Sequence, residues 1–139
     1  MQGSQLLAEL KSWSNFGYQS LKYGEKKMHK IDRTAVYKKY GGHCAYCGRE
    51  IENKDMQVDH LVPKANGGTD DFSNLMPSCR LCNHYKRANR LEWFRKSIEE
   101  IPMKLGERQY IYKVGIAYGF YNKERRNVKF YFEQEGKDG

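Results

Sequence analysis

Two Cys-x-x-Cys pairs, Cys44-Ala-Tyr-Cys47 and Cys79-Arg-Leu-Cys82, constrain this chain more than anything else in it. A Cys-x-x-Cys turn can present both thiolates to one ion, and two such turns complete the tetrahedral S4 shell of structural zinc. Together they use all four cysteines of the chain and leave none over. The competing reading, two disulfides or four core thiols, fits neither the regular spacing nor an N-terminal stretch without the charged start and apolar core of a secretory signal. A closed S4 zinc has no open coordination position, so it holds a fold together without doing chemistry. Any reactive groups must come from elsewhere.

They are found between and just after the cysteine pairs. Asp59 and His60 are adjacent in Met56-Gln-Val-Asp-His-Leu-Val, a run β-branched enough to form a strand. Neighbours on an ideal strand point to opposite faces, so the chain must bend there if both serve one site. Pro63 and Asn66-Gly67-Gly68 supply the exit. A short strand at Leu75-Met76 is expected next. A helix then begins near Arg80, with Asn83 in its first turns and Lys86 one turn further on the same face. The result is two strands and a helix around a carboxylate, an imidazole and an amide. Taken singly, Asp59 would be a turn carboxylate, His60 a core histidine, Asn74 a turn residue and Asn83 a helix-start residue. His84 competes with Asn83 by one residue of register.

Asp59-His60, Asn74 and Asn83, framed by the cysteine pairs, resemble the HNH endonucleases with their ββα-metal motif. The Gly67-Gly68 loop, the Asn74-Leu75 pair and the Cys82-Asn83-His-Tyr-Lys86 close belong to the same pattern, which spans roughly residues 40 to 95. The resemblance implies that Asp59 ligates a catalytic divalent metal and that His60 is the general base for water. It implies further that Asn74 braces the loop that orients His60, and that Asn83 is the second metal ligand in an H-N-N variant. It also places the helix after Cys82 against the cleaved duplex, which makes Lys86, Arg87 and Arg90 the candidate phosphate contacts.

The chemistry agrees with that assignment. A phosphodiester is a poor electrophile, so its hydrolysis needs a base for water and a cation for the leaving oxyanion. Imidazole titrates near neutrality and suits the first task. Carboxylate and amide oxygens suit Mg²⁺ or Mn²⁺ for the second. The chain carries a net charge of +8, from 25 Lys+Arg against 17 Asp+Glu, which favours a polyanionic partner. The expectation is a metal-dependent endonuclease of double-stranded DNA, with zinc structural and Mg²⁺ or Mn²⁺ catalytic. One such site cuts one strand, so a double-strand break would need a homodimer, a partner protein or sequential action. The alternative is a zinc-stabilised nucleic-acid-binding module without nuclease activity. A zinc domain that binds only protein would leave Asp59, His60 and the charge unexplained.

The expected architecture is α+β: a basic lead-in over residues 1–30, a zinc-stabilised nuclease core over 31–101, and a helix-strand appendage over 102–139 packed on the same domain. The lead-in has a weak helical pattern over residues 4–12 and a lysine run of Lys22, Lys26, Lys27 and Lys30. Asp32 or Thr34 should cap a short helix ended by Gly41-Gly42. After Cys82 a helix should run through Leu91, Trp93 and Ile98 to about Ile101, where Pro102 stops it. Gln109 to Tyr118 favours a helix ending at Gly119. Val128-Lys-Phe-Tyr-Phe-Glu133 alternates as a strand would, and Gly136 to Gly139 reads as a frayed tail. No run approaches the ~18 apolar residues of a membrane span. The location expected is cytoplasmic, with reduced thiols.

Overall fold

The computed structural model describes residues 30–135. The helical pattern over residues 4–12, the lysine run before Lys30 and the 136–139 tail lie outside them. The described elements are helix α1 (Arg33–Lys38), strand β1 (Gln57–His60), strand β2 (Leu75–Ser78), and helices α2 (Arg80–Lys86), α3 (Leu91–Glu99), α4 (Ile101–Arg108), α5 (Tyr110–Ala117) and α6 (Tyr131–Glu135). Single turns of 3-10 helix at Lys64–Asn66 and Phe72–Asn74 lie in the connection between the strands. This is a small α+β fold around one two-stranded sheet.

The strands are antiparallel, with Asp59 opposite Met76 and His60 opposite Leu75. β2 is buried along its whole length. Its Pro77 is tolerated because a two-stranded sheet leaves every strand an edge, where a missing N–H costs no ladder bond. The Pro77 carbonyl instead accepts from Ala45 N at 2.8 Å, which joins the first cysteine turn to the sheet. Asp32, not Thr34, caps α1: its Oδ1 accepts from Ala35 N at 3.0 Å. The helix packs Val36 against Met56 and Leu75.

The main core is aromatic. Tyr46, inside the first cysteine pair, meets Phe94 of α3 and Phe130 edge-on, each with ring centroids 5.4 Å apart. Phe94 and Phe130 stack at 5.3 Å. Offset and edge-to-face geometries of this kind add to the stabilisation from burying the rings. The Arg95 guanidinium covers the outer side of Phe130 at 4.6 Å from the ring centroid and pairs with Glu133.

Three expectations are corrected. The helix after Cys82 does not run on to Ile101. It ends at Lys86, where Arg87 takes φ 53°, a backbone region that non-glycine residues rarely adopt. Asn89 Nδ2 caps the Lys86 carbonyl at 2.9 Å, and α3 starts afresh at Leu91. Pro102 does not stop a helix but opens α4, because the first turn of a helix needs no N–H from it. Residues 128–133 form no strand. Phe130 is drawn into the aromatic core, Tyr131 N and Phe132 N donate to the carbonyls of Tyr46 and Ala45, and Glu133 turns back to accept from Phe130 N at 2.8 Å. That reciprocal cap starts α6, so tertiary anchoring overrides the alternating pattern. The helix over 110–117 ends, as read from the sequence, at Gly119 with φ 78°. No helix among the described residues is long and apolar enough to cross a membrane.

Candidate nuclease site and zinc centre

The four cysteine sulfurs converge. All Sγ atoms lie within 4.8 Å of one another, and Cys47 and Cys79 are 3.8 Å apart. A tetrahedron with Zn–S bonds of about 2.3 Å has edges of about 3.8 Å, so the cluster has the size of a zinc shell. Both turns are built for it. Gly48, at φ 76°, lets its N–H reach the Cys44 carbonyl at 2.9 Å and leaves room for the Tyr131 ring, which a Cβ would meet at 2.9 Å. The backbone N–H of Cys79 donates to Cys44 Sγ at 3.3 Å, and that of Cys82 to Cys79 Sγ at 3.4 Å. The thiols also want a cation electrostatically. Cys44 is drawn down to about 4, chiefly by its hydrogen bond with Cys82 and then by backbone N–H groups, against the effect of burial. Cys82 is pushed far up by that same hydrogen bond, by burial and by the charge of its neighbours. A second thiolate is thus opposed by the first unless positive charge sits between them.

Asp59 is buried at the end of β1, and its Oδ2 is doubly held. The Tyr46 hydroxyl donates to it, and Lys86 Nζ lies 2.9 Å away. Burial, followed by the nearby Asp59 charge, pushes the Tyr46 phenol up, so it remains a protonated donor. Lys86 is fully buried, and its ammonium also donates to the His60 carbonyl at 2.9 Å. The expected phosphate contact of Lys86 is therefore corrected: its charge is spent inside the site, tying α2 to β1. Arg87 and Arg90 are exposed. Asp59 Oδ1 accepts no hydrogen bond among the described residues and is not sealed from solvent. Asn83 lies one turn before Lys86 and is half-buried, with no side-chain hydrogen bond among the described residues, whereas His84 is exposed.

His60 is oriented by a residue that sequence reasoning missed. Its Nε2 lies 2.7 Å from Asp70 Oδ1, and the other carboxylate oxygen of Asp70 takes Lys64 Nζ at 2.9 Å. Hydrogen bonds from His60 and then Lys64 hold the Asp70 carboxyl below its usual range. An ionised carboxylate only accepts, so the proton of this bond belongs to Nε2 and a neutral His60 keeps its lone pair on Nδ1. Asp70 stands ten positions after His60, in a Gly-rich loop where a carboxylate reads as ordinary turn chemistry. Nothing in the sequence singled it out.

Asn74 fixes that loop. Its Oδ1 accepts from Val62 N at 2.8 Å, and its Nδ2 donates to the carbonyls of Val62 at 3.1 Å and Thr69 at 2.8 Å. One amide thus pins both ends of the segment carrying Lys64 and leading to Asp70. Gly68 is required by close approach, since a Cβ there would fall 1.7 Å from the Val62 carbonyl oxygen.

The residues so assembled match known proteins. Residues 44–99 match the family model of the HNH endonucleases. Over 44 residues the chain is 43% identical to a CRISPR-associated endonuclease Cas9 of Corynebacterium diphtheriae, an overlap of 31% of this chain and 4% of that protein. The crystal structure of the Type II-C Cas9 enzyme from Actinomyces naeslundii aligns with a TM-score of 0.45 at 22% identity, covering 68% of this chain and 12% of that one. The chain therefore spans a small fraction of the length of these relatives.

Proposed function

We propose that this chain, whose residues 44–99 carry the HNH endonuclease motif, is a metal-dependent endonuclease that hydrolyses DNA phosphodiester bonds. The observation that carries the reading is the pairing of His60 with Asp70 beside the buried Asp59. A binding surface has no use for an imidazole whose proton is fixed on one nitrogen, whereas hydrolysis needs the lone pair on the other.

The unengaged Oδ1 of Asp59 and the amide oxygen of Asn83 are hard oxygen donors, and they fit Mg²⁺ or Mn²⁺ better than a soft metal. Such an ion, when bound, neutralises charge on the phosphate and the leaving oxygen. The rest is done by the chain. Nδ1 of His60 takes a proton from water as that water attacks phosphorus. Asp70 stabilises the imidazolium that forms and keeps the ring turned. Asn74 holds the loop against the pull of that charge. Lys86 and Tyr46 keep Asp59 aimed, and Arg87 and Arg90 contact phosphates of the duplex. The zinc centre supplies the frame, joining the segment before β1 to the start of α2. One site cuts one strand, so a monomer nicks.

The test is purified protein with supercoiled plasmid in Mg²⁺, Mn²⁺, zinc alone or EDTA. Conversion to open circles with Mg²⁺ or Mn²⁺ only is expected. DNA binding without cleavage in any metal would leave a zinc-stabilised binding module instead.

The role of Asp70 has its own expected result. Asp70→Ala should lower kcat by on the order of 10- to 100-fold with KM nearly unchanged, the usual scale for losing a partner that orients a histidine. Asp70→Glu should restore part of it. In zinc-loaded protein without added Mg²⁺ or Mn²⁺, ¹⁵N spectra of His60 should report the Nε2–H tautomer in wild type and a mixture in Asp70→Ala. An unchanged tautomer together with unchanged kcat would remove Asp70 from the mechanism.

A further inference from the structure

The appendage after α3 contains a surface that the nuclease site does not use. α5 buries Gly115 and half-buries Tyr112 and Ile116 on one side. The segment that follows returns over that side: Tyr121 stacks on Tyr112 at 5.0 Å and takes the space above Gly115, where a Cβ would meet its ring at 2.7 Å. Lys123 crosses the neighbouring helix at Gly106, where a Cβ would meet its Cε at 2.8 Å. The opposite side of α5 has no cover among the described residues. At helical spacing it aligns Tyr110, Lys113, Val114 and Tyr118, and Tyr110 is 81% and Tyr118 76% exposed.

The helix end adds a third exposed ring. Gly119 N donates to the Ile116 carbonyl at 3.0 Å and Phe120 N to that of Gly115 at 2.9 Å, the two bonds of a Schellman cap. In that motif the residue after the glycine usually packs on the third-last helical residue. Here that residue is Gly115, so Phe120 finds no such support and is left 78% exposed. Rings this open are a feature in want of a partner. The charge around them says which. Between residues 102 and 130 the chain has seven Lys/Arg and two Asp/Glu. Lys113, Lys123 and Arg126 are exposed and make no ion pair among the described residues.

We propose that the open rings of α5 and its C-terminal turn bind single-stranded nucleic acid, stacking unpaired bases on Tyr110, Tyr118 and Phe120 while Lys113, in line with Tyr110 and Val114, meets a phosphate. Flat rings interleaved with unpaired cations are what an unpaired strand requires, because every base has a face to stack and every linkage carries a charge. A duplex hides its base faces and would use the cations alone. A protein partner or a second copy could cover the apolar atoms, but would have to be markedly acidic to match the charge, and this chain is itself basic. The inference deepens the nuclease reading and rests on it for the choice of nucleic acid as partner. It gives the appendage the task of holding an unpaired strand near an enzyme that cuts the paired one.

The experiment uses the full chain in EDTA, so that nothing is cleaved, with a fluorescein-labelled oligo-dT and a duplex of equal length. Base–aromatic stacking is worth about five- to a hundredfold in affinity per ring. The triple variant Tyr110→Ala/Tyr118→Ala/Phe120→Ala should therefore bind oligo-dT at least about a hundredfold more weakly and bind the duplex as wild type does. Its melting temperature should not fall, since the rings are exposed. Lys113→Ala should reduce the slope of log K against log salt for the single strand by about 0.7. Hydrolysis of bis(p-nitrophenyl) phosphate, too small to reach the appendage, should be unaffected in both variants. That arm separates the two claims: loss of the nuclease reading shows there, and loss of this inference shows in the oligo-dT affinities. Wild-type protein that does not bind oligo-dT, or a triple variant that binds it as wild type does, overturns the proposal. So does a wild-type dimer that the triple variant converts to monomer with oligo-dT affinity unchanged, which would give the face to a second copy.

Discussion

His60→Ala is expected to slow plasmid nicking by at least about a hundredfold while leaving affinity for the same DNA unchanged. General-base catalysis contributes typically 10² to 10⁴-fold, or about 3 to 5 kcal/mol of barrier. The substitution removes the group that takes the proton and little else. Asp59, Tyr46 and Lys86 stay paired, because Lys86 bonds to the backbone carbonyl of residue 60 and not to the imidazole. Asp59→Ala should be as inactive but for mixed reasons. It leaves Lys86 Nζ buried without its counter-charge, and stripping one partner from a buried pair typically costs about 3 to 5 kcal/mol. A melting curve should tell them apart: nearly wild-type for His60→Ala, clearly lowered for Asp59→Ala. Excess Mn²⁺ offers no rescue to His60→Ala, since a metal does not replace a base. Equal nicking rates for wild type and His60→Ala would show that this site is not the catalyst. Equal DNA binding with no cleavage by either, in any metal, would favour the binding module.

Loss of the zinc centre should be larger still. Coordination in small four-cysteine sites contributes on the order of 10 kcal/mol of folding free energy, comparable to the whole stability of a domain this size. Cys47→Ser and Cys79→Ser should therefore fail to give a cooperative melting transition. One zinc per chain should survive mild EDTA treatment, while activity is lost and then returns with Mg²⁺ or Mn²⁺. Cys47 is the more telling of the two, because it is the exposed member and its replacement costs no core packing. A zinc-free protein that folds and cuts normally would dismiss the centre.

How much of this could be read in the chain depends on whether the information is local. The cysteine pairs, the Asp59-His60 step and the Asn74 loop announce themselves, because metal ligation and tight turns demand particular residue types at fixed short spacings. Lys86 was misread for the opposite reason. Its position on the helix face follows from spacing, but whether that face meets solvent or β1 is decided by how α2 packs, and a lysine inside is rare enough that exposure is the ordinary reading. Asp70 is recognisable only once the loop has brought it back to His60. Tyr46, between two cysteines, gives no sign that it spans from the aromatic core to the Asp59 carboxylate. Residues 128–133 alternate as a strand does, yet no strand among the described residues receives them, so the same apolar residues are used singly, as a plug and a cap.

That plug bears on the order in which the molecule can come into being. Phe130, Tyr131 and Phe132 seat the first cysteine turn, yet they are made last among the residues that build the core. Domains assemble as the chain emerges from its N-terminal side. A growing chain extended just past α3 already holds all four cysteines, His60 and its loop, but has an open socket beside Tyr46 and Phe94 where Phe130 belongs. The candidate site thus lacks part of its frame until residues 130–133 have been made. The frame is completed when the 130–133 turn closes over the first cysteine turn.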